Sequence, residues 1–481
     1  MLQVRNLTIK FLSEKDENEV VKNISFNLKE NKILGIVGES GSGKSVTSLA
    51  VLGLLPKNTI QDGTIFFDEK NLLTISDKEF QQIRGNKIAM IFQEPMSSLN
   101  PTLTCGSQVA EVLKQHTGLN KKEIYQEVIT LFQKVKLPLP DRIFNSYPHQ
   151  ISGGQKQRVM IAIAIACKPD LLIADEPTTA LDVTVQKEII LLLKELQKEN
   201  KMSILLISHD LSLVSEIADN VIILFKGKIV ENGITTDIFH SPQHNYTKGL
   251  INSKPNLNQR LKKLPTVEDF IKNKISTDVY TKKERDAYHR KIYELEPLLE
   301  IVDLKKYFNT SVGFTKKSFI KAVDAISFKL YEGETLGLVG ESGCGKTTLG
   351  RAIMQLEKIT SGKIFYKGRD ITHLSKTALQ NLRKEIQIIF QDPFSSLNPR
   401  ISIGNAILEP MNVHGVLSND KERKTYVIEL LKKVGLEEEH FNKYPHEFSG
   451  GQRQRIGIAR AIALKPKIII CDESVSALDV S

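Results

Sequence analysis

Cysteine is scarce in this 481-residue chain: Cys105, Cys167, Cys344 and Cys471 lie far apart, with no C-x-x-C pair. That spacing excludes a zinc knuckle and a disulfide framework, and fits a reducing compartment. Long apolar runs are missing as well. The best candidates are cut by Lys168, Asp170 and Asp175 or by Arg460 and Lys465, so none approaches the roughly 18 to 20 residues of a membrane span. Residues 1–30 are polar and acidic where a secretory signal needs an apolar core, and the expectation is a cytoplasmic protein. The formal charge of +10 is spread along the chain as lysine rather than gathered in an arginine-rich stripe, which reads as a solvated surface and not a nucleic-acid footprint. What remains, 41% hydrophobic and 25% charged, is the composition of a globular protein, with a length that suggests about three domains.

What the chain does contain is one eight-residue stretch, twice. Gly38-Glu39-Ser40-Gly41-Ser42-Gly43-Lys44-Ser45 recurs as Gly340-Glu341-Ser342-Gly343-Cys344-Gly345-Lys346-Thr347. Each copy follows a short apolar run, 33–37 or 335–339, that reads as a strand, and each opens a helix-compatible run through Val46 or Thr348. That is the strand, loop and helix context that G-x-x-x-x-G-K-[ST] requires. Glycines let backbone N–H groups turn around an oxyanion while the helix N-terminus points at the same place. Lys44 and Lys346 are expected on the β- and γ-phosphates, and the hydroxyls of Ser45 and Thr347 on a magnesium ion.

Further landmarks repeat at nearly constant offset. Gln93 and Gln391 are 298 apart, and Ser152 and Ser449, like Asp175 and Asp472 or Asp182 and Asp479, are 297 apart. One domain is therefore duplicated. Each copy opens with alternating strands, Val4, Leu7, Ile9 and Phe11 in the first and Ile301, Leu304 and Phe308 in the second. Phe11 and Phe308 are candidates either to stack on adenine or to fill a core. Between Gln93 and Ser152, and again over 401–441, the pattern turns helical.

Ser152-Gly153-Gly154-Gln155 and Ser449-Gly450-Gly451-Gln452 then open apolar helices, which makes each a helix cap or a second anion site. The apolar runs 171–174 and 468–471 end in Asp175-Glu176 and Asp472-Glu473. Paired carboxylates at a buried strand end call for a cation, with magnesium suited to the first and an attacking water to the second. In the first copy, 33 residues beyond Glu176, another apolar run ends in His209, either a γ-phosphate donor or a capping histidine. Over 253–296 the apolar periodicity is lost, and this segment reads as a linker, partly helical at best, between domains 1–252 and 297–481.

This order of parts resembles an ATP-binding cassette (ABC) ATPase over nearly all the chain outside the linker. Ile91-Phe92-Gln93-Glu94-Pro95-Met96-Ser97-Ser98-Leu99-Asn100-Pro101, Tyr147-Pro148-His149 and Pro242-Gln243-His244-Asn245-Tyr246-Thr247 look similar to the oligopeptide, dipeptide and nickel importer branch. Two cassettes in one chain resemble the fused subunits of peptide or glutathione importers. The resemblance implies an α/β fold of tandem phosphate-loop cassettes, each with a mixed sheet, an antiparallel β subdomain and a helical subdomain. It implies ATP and magnesium as cofactors, with Ser45, Gln93, Asp175, Thr347, Gln391 and Asp472 around the metal. Glu176 and Glu473 would activate water, assisted by His209, Gln93 and Gln391. The cassettes would pair with each other or with a second copy, so that one site joins the first loop to Ser449, Gly450, Gly451 and Gln452 and the other joins Lys346 and Thr347 to Ser152, Gly153, Gly154 and Gln155. Membrane permeases would be direct partners and a substrate-binding protein an indirect one, at the cytoplasmic face of the membrane, with no nucleic acid. A soluble tandem-cassette factor acting on ribosomes or nucleic acid would instead carry T-N-H-L-D after the carboxylates and a long charged helical linker. Here the run is Thr178-Thr179-Ala180-Leu181-Asp182 and the linker holds Pro255 and Pro265.

Three departures shape the expectations. With no cysteine between Cys167 and Cys344, no iron-sulfur cluster is expected. Ser474 replaces the counterpart of Pro177 and is expected only to loosen the turn. Carrying the spacing of 33 over to Glu473 puts a second histidine near position 506, beyond Ser481, so the second cassette is expected to be a fragment with a gap in its sheet.

Overall fold

Alternating apolar residues at the start of the chain build an antiparallel sheet. Strand β1 (Leu2–Leu12) pairs with β2 (Glu17–Leu28) and with β4 (Thr59–Phe67), which carries the short β5 (Lys70–Asn71), in the order β2-β1-β4-β5. Val4 and Leu7 are three residues apart yet both buried, because a register shift lies between them, with Asn6 at φ 51°. Such a bulge re-aims the side chains that follow. The computed structural model describes residues 1–12, 17–93, 98–179, 181–253, 255, 259–312, 316–341 and 343–474. Ser342, Ala180, Asp479 and positions 94–97 of the Gln93 loop lie outside them. They form two compact units, Met1–Val279 and one that begins at Tyr280.

In the first unit a six-stranded sheet lies against the antiparallel one. Its strands are β3 (Ile33–Val37), β6 (Ile88–Ile91), β7 (Leu171–Asp175), β8 (Ser203–Ser208), β9 (Asn220–Phe225) and β10 (Lys228–Ile234), in the order β10-β9-β3-β8-β7-β6. All pairings are parallel except β10 with β9. Every residue of β3, β7 and β8 is buried, which is why these strands read as unbroken apolar runs. Leu34, Ile36, Leu171, Ile173, Leu205 and Ile207 face the antiparallel sheet, and their neighbours Ile33, Val37, Leu172, Ala174, Ile204 and Leu206 face the helices. The helical stretch after Gln93 forms helices Cys105–His116 and Lys121–Lys134, which bury Val109, Val128 and Leu131.

The segment 253–296, expected as a partly helical linker, holds two helices. Helix Val267–Ile271 buries Val267 and Phe270 in the first unit. Helix Lys282–Tyr293 opens the second unit, where the Tyr288 hydroxyl donates to the Gly333 carbonyl (2.7 Å) and the Tyr293 hydroxyl to the Glu334 carboxylate (3.0 Å).

The second unit repeats the antiparallel sheet as β11 (Leu299–Val312), β12 (Lys316–Leu330), β13 (Ser361–Tyr366) and β14 (Arg369–Asp370), in the order β12-β11-β13-β14. Its parallel sheet has two described strands, β15 (Ile386–Ile389) and β16 (Ile468–Cys471). The strand expected over 335–339 does not form. Its counterpart β3 is paired on both sides, by β8 and β9, and no described strand of the second unit runs beside 335–339. Without a ladder the backbone groups turn to solvent, and Leu338 and Val339 are 55% and 93% exposed against 1% and 0% for Ile36 and Val37.

Candidate nucleotide site

The loop after β3 is shaped by close approach. A Cβ on Gly38 would sit 2.1 Å from the Leu224 carbonyl oxygen of β9, and Gly43 takes φ 101° as it caps helix Lys44–Val51. Only glycine adopts both positions without strain. Lys44 is 5% exposed, and its ammonium donates to the carbonyls of Gly38 and Glu39 (both 2.7 Å), folding the side chain back over the loop. Ser40 and the open Gly41 lie on this loop, and Val46 follows it, packed against the core between the sheets.

At the second position of the helix, the Ser45 hydroxyl donates to Asp175 Oδ1 (3.1 Å) at the end of β7. Asp175 is 3% exposed; burial pushes its carboxyl up to about 6, against the pull of the Ser45 hydrogen bond. A carboxylate so short of solvent, with a hydroxyl oxygen beside it, fits a hard divalent cation.

Glu176 stands just beyond the strand at φ 46°, in the left-handed region, and its N–H donates to the Ile207 carbonyl (2.9 Å). That backbone turn swings its carboxylate towards three groups. Oε2 accepts from Gln93 Nε2 (3.0 Å) and the Thr179 hydroxyl (3.0 Å), and lies 3.2 Å from His209 Nδ1. Burial works to raise its pKa, but the hydrogen bond and charge of His209, together with the Lys44 charge and the Thr179 hydrogen bond, outweigh it and hold the carboxyl below its ordinary range. The structure thus joins Lys44, Ser45, Gln93, Asp175, Glu176 and His209 in one place. Thr179 was missed; its signal was a hydroxyl three residues after a strand-end glutamate.

The second unit repeats much of this. Lys346 donates to the carbonyls of Gly340 (2.6 Å) and Glu341 (2.8 Å), Thr347 to Asp472 (2.9 Å) and Gln391 to Glu473 (2.6 Å). Gly343 and Gly345 take φ 80° and 103°, and Thr348 follows on helix Lys346–Ile353. Cys344 Sγ lies 3.9 Å from Lys346 Nζ. Glu473 has φ 48°, so Ser474 in place of proline leaves the glutamate turn unchanged.

The remaining sequence candidates are helix caps and two phenylalanines. Ser152 caps helix Gly153–Ile165 and exchanges hydrogen bonds with Gln155 (3.0 and 3.3 Å), and Ser449 does the same with Gln452 at helix Gly450–Ile462. Gly153, Gly154, Gly450 and Gly451 are thus the first residues of helices, where N–H groups have no intrahelical acceptor. Phe11 is half-buried in the core between the sheets; Phe308 is 38% exposed, with Lys306 Nζ 4.6 Å from its ring centroid.

A glycine loop turning into a helix, a lysine folded over it and a hydroxyl on a strand-end aspartate beside a second carboxylate define a phosphate-loop nucleoside triphosphatase, here in duplicate. The chain belongs to the ABC transporter family, which it matches over residues 21–179 and 323–476. Residues 230–274 match the oligopeptide/dipeptide transporter, C-terminal region. The glutathione import ATP-binding proteins GsiA of Escherichia coli (strain K12) and Shigella boydii serotype 4 (strain Sb227) are each 46% identical over 494 residues, covering 100% of this chain and 78% of theirs. Among solved structures, the dimeric post-hydrolysis state of the ATP-binding cassette MJ0796 bound to ADP and Pi is 29% identical, covering 49% of this chain and 99% of that one with a TM-score of 0.45.

Proposed function

We propose that this chain is the ATP-hydrolysing, energy-coupling subunit of an ABC importer for peptides, of the di- or oligopeptide or glutathione class. The observation that carries the catalytic part is the glutamate after β7, held by Gln93, Thr179 and His209 beside the Asp175 and Ser45 pair. The transport part is supported by the matched C-terminal region and by relatives named for glutathione import.

In this reading Lys44 neutralises phosphate oxygens and Glu176, kept ionised, orients and deprotonates the attacking water. Magnesium would be held by Ser45, Asp175 and Gln93, and in the second copy by Thr347, Asp472 and Gln391. When bound it supplies charge neutralisation at the β- and γ-phosphate oxygens. Ser152 and Ser449 would each serve a phosphate loop other than the one in their own cassette, in the other cassette or in a second copy. No helix among the described residues is long and apolar enough to cross a membrane. In this reading the subunit works peripherally, on permeases that span the membrane. A separate binding protein would deliver the substrate.

The test is uptake of glutathione and of di- and oligopeptides in cells whose only copy carries Lys44→Ala. Loss of ATP binding at the first loop together with loss of uptake is expected. Normal uptake, or sedimentation of the wild-type chain with ribosomes rather than membranes, overturns the reading.

A further inference from the structure

The stretch Gln243 to Thr247 lies far along the chain from the catalytic cluster, and none of the roles above uses it. Its local structure is specific. Glu231, on β10, accepts from the backbone N–H groups of Gln243 (2.8 Å) and His244 (3.1 Å). Burial works to raise the pKa of Glu231, but these N–H donors, together with the neighbouring Thr247 and His244 side chains, prevail and hold its carboxyl below the ordinary value, so it remains an acceptor at neutral pH. His244 then caps helix Asn245–Asn252, its Nδ1 accepting from the Tyr246 N–H (3.1 Å). Behind this helix the chain closes tightly: a Cβ on Gly249 would stand 3.0 Å from Val267 Cα. Every one of these residues lies within the segment that matches the oligopeptide/dipeptide transporter C-terminal region.

The outcome of this construction is the placement of one side chain. Tyr246 is fully buried, its ring 4.2 Å from that of Phe225 at the end of β9, and its hydroxyl accepts from the backbone N–H of Glu39 (2.9 Å). Glu39 is the second residue of the phosphate loop. Its carbonyl is one of the two that receive the Lys44 ammonium. One loop residue is therefore held through its N–H by Tyr246 and through its carbonyl by the lysine that meets the phosphates.

We propose that Tyr246 is a positioning residue for ATP, fixing the backbone of the first phosphate loop through its hydroxyl, and that Glu231 and His244 seat it. The proposal rests on reading this loop as an ATP site. When Lys44 leaves the loop carbonyls for a phosphate oxygen, the Tyr246 hydrogen bond still holds the Glu39 peptide, so the loop keeps its shape. A loop already in its bound form gives up less freedom when it binds. The C-terminal region is thereby wired to the nucleotide, and a change in that region reaches the loop through one hydroxyl.

The experiment uses the full chain in a Lys346→Ala background, so that only the first loop is read. Binding of a non-hydrolysable ATP analogue with magnesium, thermal unfolding and steady-state ATPase are measured for Tyr246→Phe and for Phe225→Leu. Tyr246→Phe keeps the ring and removes the acceptor: the expected result is analogue binding and ATP KM weaker by roughly three- to tenfold with kcat within about twofold. Phe225→Leu keeps the hydroxyl and loosens its packing, and is expected to lower Tm with KM unchanged. If Tyr246→Phe binds the analogue as tightly as its parent, or if the two variants shift Tm and KM in the same proportion, the positioning role is overturned. If Lys44→Ala in the same background binds as tightly as its parent, the ATP reading falls and the proposal falls with it.

Discussion

Glu176 and Glu473 share a backbone conformation that side chains with a Cβ rarely adopt, at φ 46° and 48°. Such strain persists where the surroundings over-determine it, and here it turns the carboxylate out of the line of the strand. Replacing Glu176 with glutamine keeps the shape and the contact with Gln93 but removes the carboxylate proposed as the base. The expected result is a drop in ATP turnover of about a hundredfold or more, with nucleotide binding retained, read by single-turnover phosphate release and analogue titration. The pair Asp175 and Glu176 was legible in the sequence, because an apolar run that ends in two carboxylates leaves few physical readings. The hold of Tyr246 on Glu39 was not. The two residues are 207 apart, and no periodicity or spacing links a helix after β10 to a loop after β3.

At the scale of elements, the first parallel sheet was readable because its central strands are buried on both faces and so carry unbroken apolar runs. The same reasoning failed at 335–339, which has the same apolar character as 33–37 and forms no strand. Apolar pattern states that a segment can be a buried strand; whether it becomes one depends on neighbours that supply a ladder. The contrast predicts hydrogen exchange. Amides of 33–37, paired on both sides, are expected to stay protected for hours at neutral pH, whereas those of 335–339 exchange within the shortest labelling times. Equal protection of the two segments would show that 335–339 finds a partner in solution. The segment 253–296, read as a partly helical linker, holds two helices that dock through a few residues, Val267, Phe270 and Ile292, too few to set a periodicity.

For the molecule as a whole, duplication did not make equivalent halves. Ser42 is buried in the first loop, and Cys344 at the matching place in the second is exposed. A thiol reagent therefore reads the second loop alone. At neutral pH, maleimide is expected to modify Cys344 and Cys471 within minutes and to spare Cys105, which is buried and whose thiol burial pushes up to about 11. ATP with magnesium is expected to slow the reaction at Cys344 and leave Cys471 unaffected, as peptide mapping by mass spectrometry would report. The two halves nevertheless keep their glutamate turns within two degrees of each other. In the first, that turn leans on β8 through the Ile207 carbonyl; the second unit has no described strand in that place. The φ of this turn thus accompanies the short run that the two halves share, an apolar strand end followed by an aspartate and a glutamate.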